Sequence, residues 1–264
     1  MRPLTRFFIF TFALSWTCFI GVAFLPPASS DTSDFFKTAI LLLGTFAPLI
    51  IAILLTYKSG EWKPLLDRIG KWNVNARWYL FAVFYMAVVK LLAAVVFRMI
   101  AGKWPEFGTD AWYVMIIAIV FSTVVQAGEE VGWRGFALPR LTEKIGLPSA
   151  SLLLGLIWAI WHLPLFFVSG ADKFGQSFPV FMVQVIALSV ALSFLYWKTN
   201  GSLLLTMLMH AAVNNTKDIV PSTVKGASHT FELSNSLVAW LTATILWILA
   251  VYFLTQMRGV KKLE

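Results

Sequence analysis

The sequence predicts an all-α, polytopic membrane protein, a bundle of about eight transmembrane helices with both termini in the cytoplasm. Three observations carry that prediction. Hydrophobic residues make up 59% of the 264-residue chain and charged residues only 13%, a mix unsuited to a water-facing surface. Apolar runs recur from one end to the other, each long enough (about 20 helical residues) to cross a hydrocarbon core of about 30 Å. The basic residues alternate along the chain in the way that marks membrane topology.

The eight runs lie near residues 4–25, 35–57, 78–101, 112–138, 149–168, 178–197, 202–220 and 237–257. Arg2 and Arg6 precede the first, and Lys58, Lys63, Arg68, Lys71 and Arg77 separate the second from the third. Arg134, Arg140 and Lys144 follow the fourth, Lys198 follows the sixth, and Arg258, Lys261 and Lys262 follow the last. The intervening loops carry Asp31 and Asp34, then Glu106 and Asp110 beside Lys103, then Asp172 beside Lys173. This alternation puts both termini in the cytoplasm, which requires an even number of spans and so agrees with the count from hydropathy. The first run follows a basic start, but at about 19 residues it exceeds the apolar region of a signal peptide, so a retained helix is expected.

The formal charge of +8 is spread over the loops and not massed into an aromatic-interleaved patch, so no nucleic-acid partner is expected. Membrane lipid is the expected surrounding. Cys18 is the only cysteine, which excludes an internal disulfide and a thiolate metal cluster. No linker or repeat divides the chain, so residues 1–264 are read as a single integral membrane domain. Within residues 60–75, Trp62, Leu65, Leu66, Ile69 and Trp72 recur at helical spacing among charges, as in an interfacial amphipathic helix. Its alternative role is a gate that guides substrate into the bundle.

Polar side chains inside the spans locate the chemistry, because each charge near the bilayer centre costs about 2.5–3.5 kcal/mol on insertion scales. The fourth span contains Gln126, Glu129, Glu130 and Arg134; the fifth contains Trp158 and His162; the seventh contains His210, Asn214 and Asn215. Glu130 and Arg134 stand four apart on one helical face and are expected to pair, whereas Glu129 is turned by about 100° and left for chemistry. His210 and Asn214 also share a stripe, as do Trp158 and His162. A carboxylate, two imidazoles and an amide would supply a general base, a proton shuttle and oxyanion donors. The bland alternative is that these groups only hydrogen-bond helices together, and for any one of them it is the better reading. Two carboxylates and two histidines in three spans favour a site. Lys90, near the middle of the third span, is expected to face the bundle interior.

Three segments, Glu129-Glu130-Val131-Gly132-Trp133-Arg134, Trp158-Ala159-Ile160-Trp161-His162 and His210-Ala211-Ala212-Val213-Asn214, resemble the motifs of the CAAX-protease and bacteriocin-processing (CPBP, or Abi) family in order and in helix placement. Trp158 departs from the Phe common at that position. The resemblance covers residues 126–215, the expected catalytic core. It implies an intramembrane endopeptidase in which Glu129, helped by His162, activates water while His210 and Asn214 stabilise the oxyanion. Glu130, Arg134 and Trp158 then play supporting roles. Implied substrates are peptides, prenylated C-terminal tails included. The implied location is the cell membrane, multi-pass, with the site toward the cytoplasmic half. No cofactor is expected. Zinc held by Glu and His is the alternative, disfavoured because no H-E-x-x-H signature is present. Two other functions compete: a non-catalytic immunity-type membrane protein, and a proton-coupled transporter, for which paired interrupted helices are missing from the sequence.

Overall fold

The computed structural model describes residues 3–25, 31–109, 111–216 and 229–263. Among them the chain is helical throughout, with no strand. In order the helices are α1 (Pro3–Ala23), α2 (Asp31–Thr56), the short α3 (Trp62–Asp67), α4 (Ala76–Ala101) and α5 (Trp112–Val125). There follow α6 (Ala127–Glu130), α7 (Leu138–Ile145), α8 (Leu147–Trp161), α9 (Phe178–Lys198), α10 (Leu203–Asn215) and α11 (Leu237–Gln256). From α5 to α7 the chain runs as one apolar rod, Trp112–Ile145. Among the described residues, six helical stretches are long and apolar enough to cross a membrane; α8 and α10 are shorter apolar helices. The protein is therefore a multi-pass, all-α membrane protein. The end of the seventh expected run, past residue 216, lies outside the described residues.

Local chemistry sets the helix ends. Asn75, Ser177, Ser202 and Ser236 each accept a backbone N–H of the first turn of α4, α9, α10 and α11. Gly102 ends α4 in the left-handed region at φ 72°. Asn200 (φ 51°) and Gly201 (φ 84°) make the tight turn that sends α10 back alongside α9.

Side chains on the outside of the bundle are apolar where lipid would lie: on α5, Ile117, Val120, Phe121 and Val124 are all exposed. Inside, small residues let backbones approach, as expected where the solvent is itself apolar. A Cβ on Gly155 of α8 would lie 2.8 Å from the Ile186 Cα of α9. Beside it the Ser189 hydroxyl donates to the Ser151 carbonyl at 3.0 Å.

The two ends of the bundle differ. One carries the start of α1, residues 57–75, the α7–α8 and α9–α10 turns and the C-terminal segment. There Lys71 Nζ donates to the Asn200 carbonyl at 2.7 Å, Ser202 donates to the Lys71 carbonyl, Arg68 meets the Tyr196 hydroxyl, and Leu147 N–H bonds the Val260 carbonyl. The other end carries the α8–α9 connection, tied to the segment before α11 by Ser177 Oγ to Glu232 O (2.6 Å) and Phe178 N–H to Thr230 O (2.8 Å).

Residues 60–75 do not form the one amphipathic helix expected of them. The segment is α3 followed by a single 3-10 turn, Arg68–Gly70. The bonds from Arg68, Lys71 and Ser202 draw the backbone onto the bundle, and Leu65 is buried in the niche left by Gly135, where a Cβ would sit 2.6 Å from its Cδ1. Trp72 stays 72% exposed, as an interfacial anchor should.

Candidate active site

Every site residue expected from the sequence reaches one region between α6, α8 and α10. The approach is made possible at Gly128 and Gly132. A Cβ on Gly132 would lie 2.4 Å from Pro48 Cβ and 2.6 Å from its carbonyl oxygen, so α2 presses directly on the motif backbone. Directly after the glutamates the rod widens into a π-helical turn, Val131–Ala137, a distortion frequent at functional sites. Hydropathy and spacing gave no sign of it.

Glu130 and Arg134 pair as expected: Arg134 donates from NH1 to Glu130 Oε1 at 2.8 Å, with both side chains fully buried. The same oxygen accepts from His210 Nδ1 at 2.9 Å. Glu130 therefore anchors His210 as well as Arg134, a link between the first and third motifs that spacing within one helix cannot show. Glu129 is not left unbound. Its Oε2 accepts from the indole Nε1 of Trp158 at 2.6 Å. Trp158, where a Phe is common, thus supplies a hydrogen-bond donor that Phe lacks.

Trp158 is the hub of the arrangement. Its ring lies 4.4 Å from the Arg134 guanidinium carbon and meets His210 edge-to-face at 5.1 Å and His162 at 5.6 Å. Its backbone carbonyl accepts from His162 Nδ1 at 2.8 Å. A carbonyl oxygen only accepts, so Nδ1 of His162 carries the proton and Nε2 of the neutral ring is left as the acceptor. Glu130 Oε1 likewise accepts, so Nδ1 of His210 carries a proton. Behind His162 an aromatic wall, Trp161 with Phe19 (5.3 Å) and Trp133 (5.8 Å), fixes the ring's position, and α1 braces it through Trp16 Nε1 to the Trp161 carbonyl.

Trp158, His162, His210 and Asn214 line a partly open cavity of about 110 Å³ bounded by α4, α8, α9 and α10. Asn215, beside Asn214, faces elsewhere: its amide donates to Ser122 Oγ (2.7 Å) and the Ala211 carbonyl (2.8 Å), a helix-joining role. Lys90 lines the cavity at 1% exposure, in keeping with the interior placement expected of it. Sequence reasoning passed over Gln184, Gln176 and Lys173, which also line the cavity. Gln184, a polar residue within the sixth apolar run, was the available signal.

The cavity extends from Met86 and Leu188 inside the bundle to Lys173, Gln176 and Ser177 in the connection before α9. These last residues lie at the end opposite the start of α1 and the end of α11. As for a metal, among the described residues no three His, Cys, Asp or Glu side chains are grouped to hold an ion.

Two comparisons agree with this geometry. Residues 109–216 match the family model described as type II CAAX prenyl endopeptidase, Rce1-like. Over 231 residues, 82% of this chain and 84% of the relative, the sequence is 26% identical to CAAX prenyl protease 2 of Methanococcus maripaludis. The matched segment contains all three motifs and the whole Trp158-centred cluster, and the two likenesses support a CPBP-family intramembrane endopeptidase.

Proposed function

We propose that Glu129, with His162, activates a water that attacks the scissile carbonyl of a peptide held in the cavity, while Asn214, together with His210 in its doubly protonated form, donates to the developing oxyanion. Glu130 and Arg134 hold His210 in the donating orientation, and Trp158 orients Glu129. The observation that carries this reading is the convergence of groups from three helices on Trp158, two of them histidines whose Nδ1 is held by a fixed acceptor and which line the same cavity. Each group then acts at the atom where charge or a proton moves. No step requires a metal, and the reading is of a cofactor-free hydrolase formed as one domain over residues 1–264, with its catalytic core at 126–215.

The relative's name supports a substrate class: peptide tails carrying a prenylated cysteine. The protein is assigned to the cell membrane with both termini cytoplasmic, from the charge alternation. The active site is proposed toward the cytoplasmic half, as the resemblance implies.

The test is cleavage of peptides, with and without a prenylated cysteine, by detergent-purified protein. Glu129→Gln should keep the fold, because its amide oxygen still accepts from Trp158. It should lose about 10²–10⁴-fold in turnover, because an amide is no base. A chelator should leave wild-type turnover unchanged. Undiminished cleavage by Glu129→Gln, or chelator-sensitive cleavage restored by zinc, would refute the mechanism.

A further inference from the structure

A second cleft, of about 190 Å³, lies away from the motif cluster, at the end of the bundle that bears the termini. One wall is α3 and the turn after it, with Leu65 and Arg68. The other is Gly135, Pro139 and Arg140, on the rod that also carries Glu129 and Glu130.

The two walls bring two guanidiniums to this cleft, each set in place by the protein. Arg68 NH1 donates to the Tyr196 hydroxyl, and its guanidinium carbon lies 5.9 Å from that ring. Arg140 lies 3.8 Å from the Phe136 ring centre, with NH1 donating to the Phe136 carbonyl at 3.1 Å. A guanidinium carries five N–H donors, so each fork is oriented by one of these bonds and has others with which to take an oxyanion. Arg140 already holds one: NH2 donates to Glu61 Oε2 at 2.7 Å, and Glu61 is the single carboxylate on the lining. The Glu61 side chain is 58% exposed, and an ion pair so open to water holds its partner weakly. The cleft thus keeps a net positive charge, and the Glu61 carboxylate marks where a ligand's oxygens would meet Arg140.

The surroundings identify the anion. Trp62 stacks on Tyr57 at 6.0 Å with Lys63 Nζ 5.6 Å from its ring, and Trp72 is exposed, the aromatic and basic side chains of a membrane interface. Guanidinium forks match phosphate oxygens, and the apolar wall of Leu65 and Pro139 suits the glycerol and ester region behind a headgroup. The charge alternation assigns this end to the cytoplasm, where the leaflet is anionic and basic pockets between helices take lipid headgroups.

We propose that this cleft binds the phosphate of an anionic phospholipid headgroup between Arg68 and Arg140, with Arg140 exchanging Glu61 for the lipid. Because Gly135 and Pro139 belong to the rod that carries the glutamates, the lipid clamps α3 to that rod. The site is independent of the peptidase reading, and no cleavage is needed to test it.

The protein is placed in nanodiscs of phosphatidylcholine alone, of phosphatidylcholine with phosphatidylglycerol, and of phosphatidylcholine in buffer containing inorganic phosphate, and its melting temperature is read by tryptophan fluorescence. Phosphatidylglycerol should raise the melting temperature of the wild type by about 5 °C or more, as a well-occupied site does in a chain of this size. Arg68→Gln/Arg140→Gln should lose that shift, whatever its melting temperature in phosphatidylcholine. Arg258→Gln/Lys261→Gln, which removes the same charge from exposed positions at the same end, should keep it. Glu61→Gln should enlarge the shift, because it frees Arg140 and removes the competing carboxylate; a plain structural bridge would instead lower the melting temperature equally in both lipids. That comparison decides the matter if the double arginine variant does not fold. No shift in wild type, an equal loss in both double variants, or an unchanged shift in Glu61→Gln would overturn the proposal. A wild-type shift reproduced by inorganic phosphate and lost in Arg68→Gln/Arg140→Gln would reassign the cleft to free phosphate and overturn the lipid.

Discussion

Arg134→Met tests how the Glu130 carboxylate is tolerated in the bundle. Both members of the pair are fully buried and 2.8 Å apart, so the substitution leaves a carboxylate in a low-dielectric interior with His210 as its one remaining donor. Removing one partner of a buried pair costs about 3–5 kcal/mol, which at about 2–4 °C per kcal/mol lowers the melting temperature by roughly 6–20 °C. The pair is also incompletely served in its native setting: Glu130 Oε2, Arg134 Nε and Arg134 NH2 are buried without a hydrogen-bond partner. Such a pair gives little net stability over neutral side chains of the same shape, so its value is in holding His210. The double variant Glu130→Gln/Arg134→Met should therefore regain about half or more of the lost stability, since no charge is stranded and the amide oxygen still accepts from His210. It should nevertheless be impaired in catalysis, because the imidazole loses its charged anchor. Thermal unfolding in detergent, read by tryptophan fluorescence, measures all three proteins. A double variant no more stable than Arg134→Met would refute the argument that stranded charge dominates.

Gly132→Ala forces a Cβ to within 2.4 Å of Pro48 and should destabilise by about 1–3 kcal/mol or more, whereas Gly21→Ala, with nothing within 4 Å, should be neutral or slightly stabilising; equal melting temperatures would show that α2 does not press on the motif. Asn214→Ala should lower kcat by about 10²–10³-fold at nearly unchanged stability if it serves the oxyanion, while Asn215→Ala, which removes bonds to Ser122 and Ala211, should lower stability with a smaller effect on kcat; the reverse pattern would reassign the two amides. Trp158→Phe deletes the donor to Glu129 and should cost about 1.5–3 kcal/mol of stability, the range for a hydrogen bond to a charged group; an unshifted melting temperature would mean the 2.6 Å contact contributes nothing.

The helices and their order could be read from the sequence because lipid imposes one rule on every span: apolar outside and hydrogen-bonded within. The Glu130–Arg134 pair was legible for a similar reason, since i to i+4 spacing fixes a shared face whatever surrounds it. Contacts between helices had no such local signal. Nothing in the spacing of His210 shows that its Nδ1 meets Glu130, 80 positions away, or that the indole of Trp158 reaches Glu129. The π-turn after the glutamates was equally hidden; within it Gly132 and Gly135 are where Pro48 of α2 and Leu65 pack against the chain, contacts that no local pattern announces. Residues 60–75 misled for the opposite reason. Their amphipathic period is real, but the bonds from Lys71 to the α9–α10 turn and from Arg68 to Tyr196 of α9 outweigh the small helical preference of so short a segment.

Both short apolar helices belong to the site. At 1.5 Å per residue, the 15 residues of α8 and 13 of α10 span about 20 Å, less than the roughly 30 Å of a hydrocarbon core. Both start at the end carrying the termini, and α8 stops one residue before His162, while His210 and Asn214 lie in the second half of α10. A helix that ends inside the membrane leaves its last carbonyls without helical partners, and such backbone is tolerated only where it is buried in protein or lines a cavity. The cavity is therefore where these two helices stop. The ends of the two helices place the motif histidines on its wall.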